Sequence, residues 1–417
     1  MITGQPDSTS LGTDRSNKVV FRVVAAILIV AVPTVAGLIT FSSLVRDNVG
    51  GVDGLRGVSS VAVSSDGQNI YAVGKLEDAL AVFRRDTVDG SLQFLQLHRD
   101  GVNGVTNMRF PSSVAVSPDG SQVYVVTEVD DSLLVFSRDS ESGLLSFSEI
   151  YQDDVQGIFG LNGANAVAVA PNGKYVLVTG YTEDTLAVFV RQATSDELAF
   201  VDVEQDGAEL VEMLGPASVA VSPDSAYVYV SAELDDHISV FTEDPTRDGL
   251  VFVENVMTGE RPRGVALDSR GINAYITGSD WLSAAVRNPA TGGLTQVWLF
   301  TDNQHGVDGL EGASAVVVTP IGHKTIVAGE NENAVAVFTR DWFDGYLELE
   351  AVYRDGVDGV DGISYPTDFA VSPDSRNLYV AGSGEDALAV FSLPDTWTVF
   401  RDGFESGDSS GWTTVAP

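Results

Sequence analysis

One segment of this chain returns seven times, and that repetition restricts the fold more than any composition does. It centres on an apolar Val-Ala-Val triplet whose middle residue is Ala62, Ala115, Ala168, Ala220, Ala266, Val317 and Ala370, at intervals of 53, 53, 52, 46, 51 and 53 residues. Each copy holds four short runs rich in Val, Leu, Tyr and Phe. Between them come a Ser-Pro-Asp-Gly type turn, an acidic pair, a Gly-containing turn and then a longer loop. In the second copy the runs cover residues 113–117, 122–128, 132–138 and 144–151. No 3.6-residue period accompanies them, which excludes a helical solenoid. A four-stranded antiparallel meander repeated at about fifty residues is a propeller blade, so the sequence predicts an all-β, seven-bladed β-propeller over residues 37–393. No paired Gly-His and Trp-Asp signature recurs, as WD40 blades would require, and no nine-residue period marks a Ca²⁺-binding β-helix.

The ends of the chain fit this count. A Gly-x-Leu-x-Phe pattern marks the outer strand at residues 90–94 and 143–147, with looser copies at Gly293, Leu198, Leu250 and Leu347. That makes six outer strands for seven repeats, because the last repeat stops after its third run, 387–392. The missing strand is expected at the other end, where residues 37–41 read Gly-Leu-Ile-Thr-Phe, so that both termini build one blade and no sheet edge stays open. Upstream, Arg15, Lys18 and Arg22 precede an apolar run, 23–36, that ends in small residues. This predicts a signal peptide over 1–36, with a signal anchor as the alternative. Folded structure required from Gly37 onward favours cleavage, and hence export to the periplasm, the cell surface or the medium. Membrane association would follow only from an uncleaved segment. The remaining 394–417, Gly-, Ser- and Asp-rich with isolated aromatics, reads as an appended tail.

Charge narrows the partners. With 23 Lys+Arg against 59 Asp+Glu the chain carries a formal charge of −36, a field that repels phosphate backbones, so nucleic acid is not expected as a partner. There is no cysteine, which removes disulfides and thiolate metal ligands.

The strings Val-Ala-Val-Ser-Pro-Asp-Gly and Asp-Asp/Ala-Leu-Ala-Val-Phe, as they stand at 114–125, 219–230 and 385–391, resemble those of the lactonase-family propellers, which include 6-phosphogluconolactonase-like and YVTN-repeat proteins. The resemblance covers the chain from residue 37 to 393. It implies an Arg-His pair after a proline at the start of an inner strand. Here the nearest match is Arg261-Pro262-Arg263-Gly264: Arg263 is retained and Gly264 stands in place of the histidine.

Strand alternation puts the turn after the second strand and the long interblade loop on one face of the disk, where chemistry is expected. Eight residues before each third-strand Phe this face carries Lys75, Glu128, Tyr181, Glu233, Glu330 and Ser383. Variation at one position of a regular repeat is what a site built on a scaffold shows. Glu128, Glu233 and Glu330 are candidate bases and Arg263 a candidate oxyanion partner for lactone hydrolysis, unless they are polar residues lining a wet channel. His237, beside Asp235 and Asp236, is a further acid–base candidate read as a loop residue; the other histidines, His98, His305 and His323, are scattered too widely for a zinc site. The same face gathers acidic pairs and the run 355–362, whose Asp355, Asp358 and Asp361 are candidate Ca²⁺ ligands; tight-turn chemistry explains the same residues without an ion. The Asp residues of the opposite-face turns, Asp66, Asp119, Asp224 and Asp374, read as structural.

These features rank three functions. The leading expectation is an exported, non-catalytic module that presents its acidic loop face to a ligand, a protein or an envelope glycan, with no cofactor required. The alternative is a lactonase-like hydrolase opening a sugar lactone. The third is a surface protein stiffened by Ca²⁺. A cavity holding Arg263 within hydrogen-bond reach of a glutamate separates the second from the first.

Overall fold

Runs that are apolar at every position form strands only where both faces of the sheet are covered. In the computed structural model, which describes residues 38–192, 197–208 and 210–394, all seven second strands, apolar at most positions, are covered in this way: Asn69–Gly74, Gln122–Thr127, Tyr175–Gly180, Tyr227–Ala232, Asn273–Gly278, Lys324–Gly329 and Asn377–Gly382 are buried almost throughout. They are covered because each four-stranded antiparallel sheet packs face to face between two others. Seven such sheets form, in chain order from inner to outer strand, and we number them blades 1 to 7. The only helical element among the described residues is the 3-10 turn Glu330–Glu332.

The hydrophobic core is correspondingly divided. It consists of seven clusters, each shared by two neighbouring blades, from Tyr71 and Val125 between blades 1 and 2 to Tyr379 and Ile70 between blades 7 and 1. The axis itself is left to polar side chains.

Closure takes the expected form. Thr40–Arg46 pairs antiparallel with Ala387–Ser392, from Thr40 opposite Ser392 to Arg46 opposite Ala387, and becomes the outer strand of blade 7. The strand starts three residues later than the 37–41 motif, because that motif marks Phe41, whose ring packs edge-on against Phe391 at 5.6 Å, while the ladder runs on from there. In blade 2 the inner strand, Pro111–Val116, starts two residues earlier than the expected run and the outer strand, Leu145–Gln152, one residue later. The expected leader, 1–36, and all but the first residue of the tail, 394–417, lie outside the described residues. Among the described residues no helix is long and apolar enough to cross a membrane.

Two features of the inner strands position the site. In six blades the strand carries a bulge after its first residue, which turns the second residue out of the ladder: Ser59, Ser112, Asn165, Ala217, Ser314 and Thr367. A bulge re-aims a side chain at little cost to the sheet, and here five of the six donate a hydrogen bond to the next blade. Ser59 reaches the carbonyl of Pro111 at 2.8 Å, Ser112 that of Ala164 at 2.7 Å, and Thr367 closes the circle on Val58 at 3.1 Å. Counted from the Val-Ala-Val alanine, the blade 5 member of this ring is Arg263, whose inner strand has shrunk to Val265–Leu267.

Candidate active site

A second ring stands above the first. Lys75, Glu128, Tyr181, Glu233, Glu330 and Ser383 each follow directly on a second strand. Each is pinned by its own backbone N–H, donated to the carbonyl of the residue two before the bulged one: Lys75 to Gly57, Glu128 to Phe110, Tyr181 to Gly163, Glu233 to Gly215, Glu330 to Gly312 and Ser383 to Tyr365, at 3.0–3.2 Å. The variable position therefore has a fixed backbone and a free choice of side chain.

Together the two rings line a cavity at the axis. One lobe, about 340 Å³, is bounded by Lys75, Glu128, Tyr181, Glu233 and Arg263 with Asn165 and Ser314. The adjoining lobe, about 430 Å³, shares Lys75, Asn165, Arg263 and Ser314 with it and adds Ser59, Ser112, Glu330, Thr367 and Ser383. Arg263 thus lines both. Its Nη1 donates to Glu330 Oε2 at 3.0 Å, and its Nε lies 3.8 Å from Glu233 Oε1. Glu233, only 8 % exposed in its side chain, also accepts from Arg261 Nη2 at 2.6 Å and from the Tyr181 hydroxyl at 3.2 Å. Burial, then the Glu233 charge, raise the Tyr181 hydroxyl above its usual pKa, so it stays a donor. Glu128 is paired with Lys75. Three cations therefore meet three carboxylates, which keeps a densely charged cavity neutral in sum.

Of the residues expected at a site, Arg263, Glu128, Glu233 and Glu330 come together. His237 does not. It is the first residue of the strand His237–Glu243 and not a loop residue, it pairs across the sheet with Met257 of the outer strand, and its Nε2 lies 3.2 Å from Glu212. The sheet register carries it away from both lobes of the cavity.

The expected metal ligands divide in the same manner. Asp355 and Asp361 converge with Glu385, but Asp358 is exposed at the loop tip with φ 52° and stands apart. Two equivalent triads exist, Asp47 with Asp53 and Glu77, and Asp302 with Asp308 and Glu332. Burial followed by repulsion from the neighbouring aspartates raises the pKa of Glu77, Glu332 and Glu385. Each triad also holds a guanidinium from the outer strand of its blade: Arg46 on Asp361 and Glu385, Arg99 on Asp53 and Glu77, Arg354 on Asp308 and Glu332. The positive charge that a cation would bring is supplied by the chain. The first aspartate of each loop is committed as well, accepting the backbone N–H eight residues on, as Asp355 does from Ile363.

Sequence reasoning overlooked Arg261, Lys75 as a partner of Glu128, and the whole bulged ring. The last had a legible signal, since the residue three before each triplet alanine is Ser, Asn, Thr or Arg in six of the seven repeats.

Seven radial sheets whose polar residues meet at the axis define a β-propeller with an axial cavity as its candidate site. The family described as lactonase, seven-bladed β-propeller, matches residues 38–158, 114–210 and 202–307. These overlapping matches run from 38 to 307, well over half of the chain, and the protein belongs to that family. It is similar to a 6-phosphogluconolactonase of Pectobacterium carotovorum subsp. carotovorum (strain PC1), 21 % identical over 266 residues that make up 64 % of this chain and 75 % of the relative. Solved structures with the same fold include a putative 6-phosphogluconolactonase from Bacteroides uniformis, at TM-score 0.58 and 20 % identity over 71 % of this chain and 84 % of that one. Another is the periplasmic gluconolactonase of Pseudomonas aeruginosa, at 0.57 and 18 % over 72 % and 85 %. Hydrazine synthase of Kuenenia stuttgartiensis fits at 0.62 and 16 % over 84 % and 97 %, so likeness of fold carries no particular activity.

Proposed function

We propose that this protein is a lactone hydrolase working at its axial cavity, on a ring ester derived from a sugar. The observation that carries this reading is Arg263, held 3.0 Å from Glu330 and 3.8 Å from Glu233 at a point common to both lobes. Family membership supports it, and places the hydrolase ahead of the non-catalytic binding module. In the reaction, water adds through its oxygen to the lactone carbonyl carbon while Glu330 or Glu233 takes the proton. The carbonyl oxygen gains the negative charge and is met by Arg263, whose guanidinium has five N–H donors, of which the bond to Glu330 takes one. The ring C–O bond then breaks, the alkoxide recovers the proton from the glutamate, and the hydroxy acid so formed gives its carboxyl proton to water and leaves as an anion. Release is assisted by the acidity of the whole surface. Export fits the apolar leader at 23–36 and the relative named as periplasmic.

The test is hydrolysis of glucono-δ-lactone followed by acid release at constant pH, corrected for spontaneous opening. The expected result is turnover that falls about 10²-fold or more in Arg263→Ala, the usual cost of losing one oxyanion donor. A rate indistinguishable from buffer in the unsubstituted protein would return the binding module to first place.

A further inference from the structure

Two glutamates stand close to Arg263, and they are held in unlike ways. Glu233, only 8 % exposed, has both oxygens engaged: Oε1 accepts from Arg261 Nη2 at 2.6 Å and Oε2 from the Tyr181 hydroxyl at 3.2 Å. Arg263 Nε faces the same Oε1 at 3.8 Å, beyond hydrogen-bond length. Glu330, 22 % exposed, accepts a single bond, from Arg263 Nη1 to Oε2 at 3.0 Å, and its Oε1 has no partner among the described residues. The third carboxylate of the cavity, Glu128, is bonded to Lys75 and forms no ion pair with Arg263 among the described residues.

A general base needs an oxygen free to take the proton, close to the group that receives the oxyanion. Glu330 meets both conditions, with one oxygen fixed on Arg263 and the other open. Glu233 meets only the second. Its partner Arg261 lines neither lobe of the cavity and is 58 % exposed, so it acts through the carboxylate it holds. A buried carboxylate without that cation would draw Arg263 Nε in from 3.8 Å to a charge-assisted hydrogen bond. Arg263 would then be clamped by carboxylates on two sides, with fewer donors and less net charge left for the oxyanion.

Resting on the lactonase reading, we infer that Glu330 is the general base and that Arg261 is a positioning residue, which keeps Glu233 off Arg263. The proton of the attacking water passes to Glu330 Oε1 and returns from there to the ring oxygen as its C–O bond breaks, while Arg263 bears the oxyanion. Glu233 takes no proton.

The test follows glucono-δ-lactone hydrolysis against pH in Glu330→Gln, Glu233→Gln, Arg261→Gly and the double variant Arg261→Gly/Glu233→Gln, with the melting temperature of each. Glycine suits position 261 because φ there is 54°, and Gly57, Gly163, Gly215 and Gly312 hold the same place in other blades, so only the side chain is lost. The ionisable groups lining the cavity are Lys75, Glu128, Tyr181, Glu233, Arg263 and Glu330; carboxylates are the kind that protonate in acid, so a glutamate sets the acid limb of the profile. The isosteric Glu330→Gln is expected to lower kcat about 10²-fold or more and to abolish that limb, whereas Glu233→Gln keeps it. Arg261→Gly is expected to lower kcat about 10-fold with KM within about 2-fold and melting temperature unchanged, since a transition-state interaction is what weakens. In the double variant the removal of Arg261 adds nothing to Glu233→Gln, because the two act as one unit. A Glu330→Gln protein that keeps the acid limb overturns the base assignment. A cost of Arg261→Gly that persists beside Glu233→Gln, or that follows a fall in melting temperature, overturns the positioning role. Both of these outcomes leave the lactonase reading standing, whereas an unsubstituted protein without turnover overturns that reading and the inference with it.

Discussion

Arg263 owes its place to the glycine after it. An ideal Cβ on Gly264 would lie 2.7 Å from Thr277 Oγ1, 3.1 Å from the carbonyl oxygen of Ser314 and 3.2 Å from Ala315 Cα. Two of these belong to the inner strand of blade 6, which cannot retreat without opening the interface between blades 5 and 6. The Thr277 hydroxyl is also committed, accepting from Gly264 N at 3.1 Å. The position where the resemblance implies a histidine is therefore closed to any side chain here, and that space faces the neighbouring blade. Overpacking of this kind costs about 1–3 kcal/mol. Gly264→Ala is expected to lose that much in guanidinium unfolding, and to lose lactone turnover because its neighbour Arg263 moves. A Gly264→His variant of undiminished stability and higher turnover would show instead that the cavity accepts the missing imidazole.

Between blades the recurring element is an arginine that ends the third strand. Arg85, Arg138, Arg191, Arg287 and Arg340 each reach the preceding blade, where four of the five donate to a second-strand tyrosine hydroxyl and all five to an Asp of the opposite-face turn. Hydrogen bonds and the guanidinium hold Asp66, Asp119, Asp224 and Asp374 below the usual carboxylate range, although burial opposes it. At the junction of blades 3 and 4 the charges are exchanged, with Lys174 on one side and Glu243 on the other. The two versions differ in exposure, which decides their worth. Arg340 and Asp268 are 0 % and 1 % exposed, Lys174 and Glu243 34 % and 43 %. Breaking a buried pair leaves an uncompensated charge and costs about 3–5 kcal/mol, whereas an exposed pair is worth about 0–1 kcal/mol. Arg340→Ala is expected near the lower bound, about 3 kcal/mol, because Arg270 still faces Asp268 at 3.1 Å, and Lys174→Ala below about 1 kcal/mol. Equal losses in denaturant unfolding would remove the distinction. These clasps also mark how far the sequence could be read. Blade number, the structural role of the turn aspartates and the upper-ring positions were legible, because strand period and turn chemistry are local. The partner of Arg138 is 72 residues away at Asp66, and pairing across a blade interface leaves no spacing signal within one repeat. His237 was misplaced for a related reason: an acidic pair marks a turn, but not the residue at which the next strand begins.

A ring of blades has no centre to hold it, so the whole molecule depends on its last junction. There the strand Thr40–Arg46 pairs with Ala387–Ser392 from the far end of the described chain. The noncovalent latch is reinforced at both ends, by the Tyr353 hydroxyl donating to Ile39 O at 2.5 Å and by Arg46 bridging Asp361 and Glu385 at 3.0 Å each. Closing so long a loop costs little more than closing a short one, since the entropy grows only with the logarithm of length. What the latch supplies is the fourth strand of blade 7: without it Ala387–Ser392 would present unpaired N–H and C=O groups, and the cluster built on Ile39, Phe391 and Leu378 would open to water. A protein starting at Asn48 is therefore expected to melt well below one starting at Gly37 and to aggregate through the exposed strand, whereas starting at Gly37 leaves the melt of the full chain unchanged. A peptide of residues 38–47 added in excess should bind as the missing strand and recover the melting temperature in proportion to the logarithm of its concentration. Identical melting of the two shortened proteins, or a peptide without effect on the one starting at Asn48, would mean that six complete blades hold the ring without the seventh being closed.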